Sequence, residues 1–278
     1  MTAKGSTERK NEAAASGPIS RAFSVMKALA DTTDGEKVSR LSERVGLSQP
    51  TVHRLLQQLI DEGMVEQDGR SKRYRLSLEL FALAAKAGNI TNLRDLVRPT
   101  LLRLSASLND SLFLLARSGF DAICLDRSEG PFPIRTFTGD IGGRVALGVG
   151  QASVAILAFL PEDEREAVIR YNLPRLRELH LYDEVMLRSE INKVREQGFA
   201  CRNTGLLQGM AGAAVPILDR NGHSVAALSV ATISDRLGPD RMPTVIELLK
   251  REANALTPRI NPFDPLLRRP TRIFGQAE

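Results

Sequence analysis

The residues best suited to contact another molecule lie together in the stretch GLSQPTVHRLLQQL, residues 46–59. Its first part places Ser48, Gln49 and Thr51 close together, and all three side chains donate and accept hydrogen bonds. Arg54, a permanent cation, follows within one helical turn. The chemistry open to this group is hydrogen bonding and charge pairing. It serves either to cap a helix or to contact another molecule.

The element that must position these residues is a helix. Ser48 can cap it, and Pro50 fits its first turn, where no intrahelical donor is needed. Apolar residues then follow with helical spacing along one stripe: Val52, Leu55, Leu56, Leu59 and Ile60. Arg54 points away from that stripe. A shorter helix is predicted over Val38–Val45, ending at Gly46. The two form a helix-turn-helix, whose second helix presents its first residues to the major groove of DNA.

A basic hairpin is predicted directly after the two helices. In GMVEQDGRSKRYRL, residues 63–76, apolar and polar residues alternate on both sides of a turn-forming Asp-Gly. Its basic residues outnumber Glu66 and Asp68; they are Arg70, Lys72, Arg73 and Arg75. A helix-turn-helix followed by such a hairpin is a winged helix, and the wing lies along phosphates. The alternative for the hairpin is a plain solvated surface, and for the helix pair a purely structural role.

The charge distribution points to the same third of the chain. The net charge is +5 over 278 residues, but residues 77–258 hold 21 basic and 21 acidic side chains. Residues 18–76 hold 10 basic and 8 acidic side chains. Upstream of the helix pair, an opening helix is predicted from Ile19, capped by Ser20, with an apolar stripe of Phe23, Met26, Leu29 and Ala30.

The C-terminal two-thirds mix strands and helices, which predicts an α+β domain with an antiparallel sheet. Strands are indicated by SLFLLARS (111–118), DAICLDRS (121–128) and PIRTFT (133–138), and a late hairpin turns at DRNGH (219–223). Helices are indicated after Gly150 and over 162–170, 187–198 and 240–260.

The N-terminal third resembles the DNA-binding domain of IclR-type transcriptional regulators. The similarity lies in the Gly-Leu-Ser turn, the TVHRLL core, the EGMVEQ step into the hairpin, and YRLS leading into a further helix. The C-terminal part is similar to the effector domain of that family, which has a GAF-like fold, through GGRVALGVGQASVAILAFLP, REQGFACRNTG and GMAGAAVPILDRNGHSVAALSVA. The resemblance covers about residues 18–258 and implies a regulator that binds operator DNA and a small-molecule effector as a homodimer or tetramer.

The predicted organisation follows from that resemblance. It comprises a disordered arm (1–17), a winged helix-turn-helix (18–76), a linker helix (77–90), an effector domain (91–260) and a basic tail (261–278). The resemblance implies that the second helix of the pair enters the major groove and that the hairpin contacts the backbone. The implied DNA contacts are Ser48, Gln49, Pro50, Thr51, His53, Arg54, Arg70, Lys72 and Arg73. Gln49 suits a base edge, and Ser48, Thr51 and Arg54 suit phosphates. For His53, a packing role is an equal alternative.

The resemblance also places the effector pocket between the LGVGQ loop and the final hairpin. The implied lining is Ile134, Gly148, Val149, Met210, Gly212, Ser229 and Ala231. This set is apolar apart from one hydroxyl and backbone N–H groups that we expect to be free, which suits a small organic or aromatic acid of a catabolic pathway. The chain departs from many family members at NTGLLQ, at Gly212 and in the ALGVG loop, where acidic residues, cysteine and histidine are common. A plain core role is the alternative for each position.

Motifs for catalysis are weak. GVGQAS lacks the third glycine of a dinucleotide loop, and there is no G-x-S-x-G elbow or H-E-x-x-H. Ser153 and Ser229 have no base nearby in sequence, and Cys124 and Cys201 have no metal-ligand spacing. We therefore predict no metal, no cofactor and no enzymatic activity, and a cytoplasmic protein without membrane spans. The remaining alternatives are a ligand-sensing or protein-interaction module that does not bind DNA and, less favoured, an enzyme.

Overall fold

The computed structural model describes residues 17–86, 90–131, 140–179, 182–202 and 209–260. The chain divides into two compact units, Met1–Gly88 and Asn89–Glu278. The predictions of a disordered arm and a basic tail fall on residues 1–16 and 261–278, outside the described residues. The assignment of residues 77–90 as a linker helix stays a prediction.

The first unit packs three helices around one apolar core. They are α1 (Pro18–Ala30), α2 (Val38–Val45) and α3 (Gln49–Asp61), and α4 (Leu78–Lys86) follows later in the chain. Leu41 and Leu56 are fully buried at the centre of this core. The position predicted for α2 and its end at Gly46, which has a left-handed φ of 70°, are confirmed.

The predicted stripe and cap of α1 are partly wrong. The helix begins at Pro18 with Gly17 as its N-cap, so Ser20 lies inside the helix. Val25, Ala28 and Leu29 face the core, with Ala22 and Met26 packed against it, whereas Ala30 is exposed and Phe23 is 55% exposed. The helical period was identified correctly. The side of the helix that faces the core was predicted wrongly, because apolar residues lie on more than one side of α1.

The hairpin consists of β1 (Val65–Gln67) and β2 (Tyr74–Leu76), paired antiparallel with Gln67 opposite Tyr74. A further bridge joins Glu36 to Tyr74, with hydrogen bonds of 2.9 and 2.8 Å between their backbones. The hairpin is therefore joined to the chain that precedes α2. This is the winged arrangement expected from the sequence.

The second unit contains a six-stranded antiparallel sheet in the order β5-β4-β3-β8-β7-β6. Its strands are β3 (Ser111–Ser118), β4 (Asp121–Ser128), β5 (Arg144–Ala146), β6 (Ala200–Arg202), β7 (Met210–Leu218) and β8 (Ser224–Ile233). Its helices are α5 (Ile90–Leu108), α6 (Gln151–Ala158), α7 (Glu162–Glu178), α8 (Glu184–Gln197) and α9 (Met242–Leu256), with short 3₁₀ helices at Ser234–Arg236 and Thr257–Arg259.

Both faces of the sheet are covered. One face packs against α6, which is itself covered by α7 and α8, and the other packs against α5 and α9. The pairing of β3 with β4 shifts between Leu114, which pairs with Asp126, and Leu115, which pairs with Cys124, so Leu125 is the extra residue of a bulge in β4. In β4, Cys124 belongs to the cluster around α6, whereas Asp126 lies 3.0 Å from the Arg98 guanidinium on α5. The bulge therefore allows Cys124 and Asp126, which are two residues apart, to face opposite sides of the sheet.

The sequence located most of these elements but missed some boundaries. β3, β4 and the β7–β8 hairpin lie where they were predicted, whereas β5 and β6 were not anticipated as strands. α7 was predicted to span residues 162–170 but continues to Glu178, with Pro174 inside it. Packing of Leu173 and Leu176 into the core offsets the local cost of that proline. The predicted strand at 133–138 lies outside the described residues.

Candidate functional site

The start of α3 is both capped and exposed. Ser48 is the N-cap; its Oγ accepts a hydrogen bond from the Thr51 amide at 3.4 Å and lies 2.8 Å from Thr51 Oγ1. Ser48, Gln49, His53 and Arg54 are all exposed, as is Pro50. Within the described part of the chain, the side chains of Gln49, His53 and Arg54 have no hydrogen-bond or ion-pair partner. Their hydrogen-bonding groups are therefore available to another molecule.

The turn of the hairpin is held by its own aspartate. Asp68 Oδ1 accepts hydrogen bonds from the Ser71 amide at 2.6 Å and the Arg70 amide at 3.1 Å. Both bonds lower the pKa of Asp68, and the bond from Ser71 has the larger effect. The turn therefore keeps a negative charge. The left-handed residue of the turn is Lys72, with φ of 56°, and not Gly69. The predicted place of the turn at Asp-Gly is therefore confirmed, and its left-handed residue lies further along, at Lys72.

The basic residues of the hairpin differ in their surroundings. Arg70 and Lys72 are exposed and have no ion-pair partner among the residues that the structure describes. Arg75 pairs across the strands with Glu66 at 2.6 Å. Arg73 is half-buried, and its Nη1 donates to the Gly35 carbonyl at 3.0 Å. Arg73 thus fastens the hairpin to the first unit, a role that the sequence did not reveal.

In the second unit, strand register places most of the predicted pocket residues on one sheet face. Gly212 pairs with Ala231, and Ser229 pairs with Ala214 on one side and Phe113 on the other. Because side chains alternate along a strand, Met210, Gly212, Ser229 and Ala231 share a face. It is the face covered by α6, since Phe113, Ala214 and Ala231 pack in the cluster that contains that helix. Ser229 is 7% exposed, and its hydroxyl has no hydrogen-bond partner among the described residues.

The loop that precedes α6 is held rigidly. Ser153 Oγ accepts a hydrogen bond from the Gly148 amide at 3.1 Å and donates to the Val149 carbonyl at 2.6 Å. Buried Asn172 donates to the Leu147 carbonyl at 3.0 Å. A Cβ on Gly148, whose φ is 109°, would lie 2.8 Å from a methyl group of Leu176. Ser153 and Asn172 therefore position this loop, a role that the sequence analysis did not predict. The signal available in the sequence was Ser153, a polar residue within the apolar run that follows Gly150.

The expectation of free N–H groups at Gly148 and Val149 is wrong. The Gly148 amide is bound by Ser153, and the Val149 amide donates to the Ala146 carbonyl at 2.9 Å. Around this loop, the amides that have no acceptor within the described residues are those at the start of α6, at Gly150, Gln151, Ala152 and Ser153. The donors thus lie a few residues further along the chain. Ile134, also predicted for the pocket, lies outside the described residues.

A separate groove of about 610 Å³ lies on the other side of the sheet, where α9 meets β6. Its lining includes Phe199, Cys201, Met242 and Ile246, and none of the predicted pocket residues.

In the α6 cluster, burial raises the pKa of the Cys124 thiol to about 11. Cys124 is buried and therefore protonated near neutral pH.

Comparison with known protein families gives two matches in chain order. Residues 18–69 match the IclR helix-turn-helix domain, and residues 85–257 match the bacterial transcriptional regulator IclR C-terminal domain. The chain belongs to the IclR family of bacterial transcriptional regulators. It is therefore a DNA-binding regulator and not an enzyme, as its sequence predicted.

Individual members of the IclR family are distant but align over most of the chain. The HTH-type transcriptional regulator KdgR of Escherichia coli is 27% identical over 250 residues, 88% of this chain and 93% of its own. TtgV of Pseudomonas putida is 30% identical over 182 residues, 66% of this chain and 69% of its own. An IclR homologue of Microbacterium hydrocarbonoxydans, crystallised with 4-hydroxybenzoate, superposes with a TM-score of 0.73 at 22% identity, covering 87% and 98% of the two chains.

Two further observations accompany the family assignment. None of the described helices combines the length and the apolar character needed to cross a membrane. In the described ranges, no three His, Cys, Asp or Glu side chains are grouped so that they could hold a metal ion.

Proposed function

We propose that this IclR-family regulator contacts operator DNA through the start of α3 and the β1–β2 hairpin. The observation that carries the proposal is the set of exposed side chains there that have no partner within the described residues: Gln49, His53, Arg54, Arg70 and Lys72. Gln49 has the carboxamide that recognises adenine, and the cations suit phosphates. Ser48, Pro50 and Thr51 would form the part of the helix closest to the backbone, while Arg73 acts mainly through the fold.

The DNA-binding proposal predicts a clear loss of affinity for Arg54→Ala. We expect affinity for the DNA upstream of the protein's own gene to fall by about tenfold, and the salt dependence to weaken, because one phosphate contact is lost. The measurement is fluorescence anisotropy at two or more salt concentrations. The matched control is Arg220→Ala in the exposed β7–β8 turn, which removes the same charge from the second unit. Equal affinities for the two variants would contradict the proposal.

We further propose that a small organic acid binds where the start of α6 faces β7 and β8. Two observations support this class of ligand. The first-turn amides of α6 have no acceptor within the described residues, and a helix N-terminus favours an anion. Ser229, on the opposing sheet face, is a buried residue whose hydroxyl has no partner within the described residues. Gly148, Val149, Met210, Gly212 and Ala231 would supply the apolar walls. That the related protein from Microbacterium binds 4-hydroxybenzoate is consistent with this class.

We infer that the protein acts as a homodimer, or a tetramer built from dimers, in the cytoplasm, where its DNA target lies. In α1, Ile19 is 73% exposed and Phe23 is 55% exposed, and both lie on one face because they are four residues apart. An apolar pair on a helix of the DNA-binding unit suits a two-fold contact between copies, and two copies would match a partly palindromic operator. We also propose that the fold of the second unit is GAF-like.

A further inference from the structure

The side chain of Gln151 lies directly over Gly212. A Cβ built on Gly212 would be 3.1 Å from Gln151 Oε1 and 3.5 Å from its Cδ, so the carboxamide occupies the space above the glycine. Gln151 is half-buried, and its carboxamide makes no hydrogen bond with any residue that the structure describes. A partly buried amide has lost some of its contact with water and gained no protein partner. A ligand that supplies the missing hydrogen bonds is therefore favoured.

Gly212 is required by its neighbours and not by its backbone conformation. It is absent from the glycines with positive φ, but its added Cβ would also come within 2.9 Å of the Val230 carbonyl oxygen. Any side chain at this position would press on that carbonyl and displace the head of Gln151. Gly212 and Gln151 thus form a matched pair in which the glycine makes room for the carboxamide.

Ser229 provides a second unsatisfied polar group on the same face. It pairs with Ala214, two residues along β7 from Gly212, so it is a diagonal neighbour of the Gly212 position. Diagonal neighbours in antiparallel sheets are roughly 7–8 Å apart. Ala231 lies directly opposite Gly212 and two residues from Ser229 along β8, and it adds only a methyl group to this face. The Gln151 carboxamide and the Ser229 hydroxyl are therefore two separated hydrogen-bonding groups next to an apolar part of the sheet.

We propose that Gln151 determines the specificity of the effector site by recognising a hydroxyl group on the acid. The inference rests on the proposed function, since it concerns the same site. A carboxamide both donates and accepts, and so does a hydroxyl, which allows two complementary hydrogen bonds. The acid's carboxylate is held at the first turn of α6 and Ser229, and the hydroxyl lies at Gln151. The ligand class is accordingly a hydroxy acid with an apolar body.

The test compares acids that differ by one hydroxyl. Binding of 4-hydroxybenzoate against benzoate, and of 4-hydroxyphenylacetate against phenylacetate, is measured by calorimetry on the full chain and on Gln151→Leu. For at least one pair we expect the wild type to prefer the hydroxy acid by about tenfold, the value of one well-made hydrogen bond. In Gln151→Leu the preference should fall to near unity, with the affinity for the plain acid within threefold of the wild type. A purely structural role of Gln151 would weaken both acids alike.

Two further variants complete the test. Gly212→Ala should remove the same preference by displacing the carboxamide, provided that circular dichroism shows it to be folded. Gln58→Leu, an exposed glutamine of α3, should leave the preference unchanged. The inference is overturned, and the proposed acid class is not, if the preference survives in Gln151→Leu or if the wild type binds the two acids of each pair equally. Failure of all four acids to bind the wild type would overturn the proposed acid class and the inference with it.

Discussion

The loop before α2 shows how much a single residue can contribute to the first unit. Gly35 has a φ of 71°, and an added Cβ would lie 2.5 Å from the Tyr74 carbonyl oxygen. Its own carbonyl accepts the hydrogen bond from Arg73. The glycine therefore permits both the backbone bridge and the arginine contact that hold the hairpin. Arg73 is consequently a poor probe of DNA binding, because its loss also affects stability.

We predict that Gly35→Ala destabilises the first unit. The left-handed backbone and the approach to a carbonyl oxygen together should cost roughly 1–3 kcal/mol of unfolding free energy. Urea denaturation of the full chain, followed by circular dichroism, provides the measurement. Gly69→Ala is the control, because Gly69 lacks a positive φ and has nothing within 4 Å of its added Cβ. If both variants unfold at the same urea concentration, the close approach at Gly35 is not a constraint.

At the scale of elements, α1 presents apolar side chains on two sides. One side packs into the core through Val25 and Leu29, and the other exposes Ile19 and Phe23. A helix with apolar residues outside its buried face commonly contacts another surface. The other large apolar residues exposed in the described part of the first unit are Leu78 and Leu83 of α4. These two helices are therefore the elements of the first unit best suited to the contact between copies that we propose.

We predict that Phe23→Glu weakens the proposed dimer without unfolding the protein. A carboxylate in an apolar two-fold contact loses water without gaining a partner, so the dissociation constant should rise by at least tenfold. Analytical ultracentrifugation over a concentration series measures the change. Ser24→Glu adds the same charge to the adjacent exposed position and should have a smaller effect. An unchanged dissociation constant for Phe23→Glu would exclude this face of α1 from the interface.

At the scale of the whole molecule, the two units have separate cores, and the two candidate sites lie in different units. Effector control requires the ligand to bind one arrangement of the protein more tightly than another. A change confined to the effector site should therefore alter the response to ligand while leaving the DNA affinity of the ligand-free protein intact.

We predict this separation for Ser229→Ala. The Ser229 hydroxyl has no protein partner within the described residues, so its removal should leave stability unchanged or slightly higher. The affinity for the better-binding hydroxy acid, and its effect on operator binding, should fall by about tenfold. Ser224→Ala is the control on the same strand. Its Oγ donates to the Ile156 carbonyl at 2.6 Å, so this variant should lose about 1 kcal/mol of stability. Equal loss of DNA and acid binding in folded Ser229→Ala would refute the separation.

The sequence by itself determined most of the elements and their order, but not the short strands β5 and β6. Helical spacing located α3 from Val52 to Leu59, alternation and turn residues located the β1–β2 hairpin, and apolar runs bounded β3 and β4. Family motifs then identified the face that carries Gly212, Ser229 and Ala231. These features could be predicted because each depends on residues that are close in the chain or recur in a recognisable motif.

Only the tertiary structure decided which partners the individual side chains have. Arg73 meets Gly35 across 38 residues, and Gln151 lies over Gly212, although nothing local to either position indicates the contact. The same holds for the amides before α6, where Ser153 uses the N–H that was expected to be free. Periodicity determines which face a residue occupies. What that face meets depends on long-range packing, which no short stretch of sequence encodes.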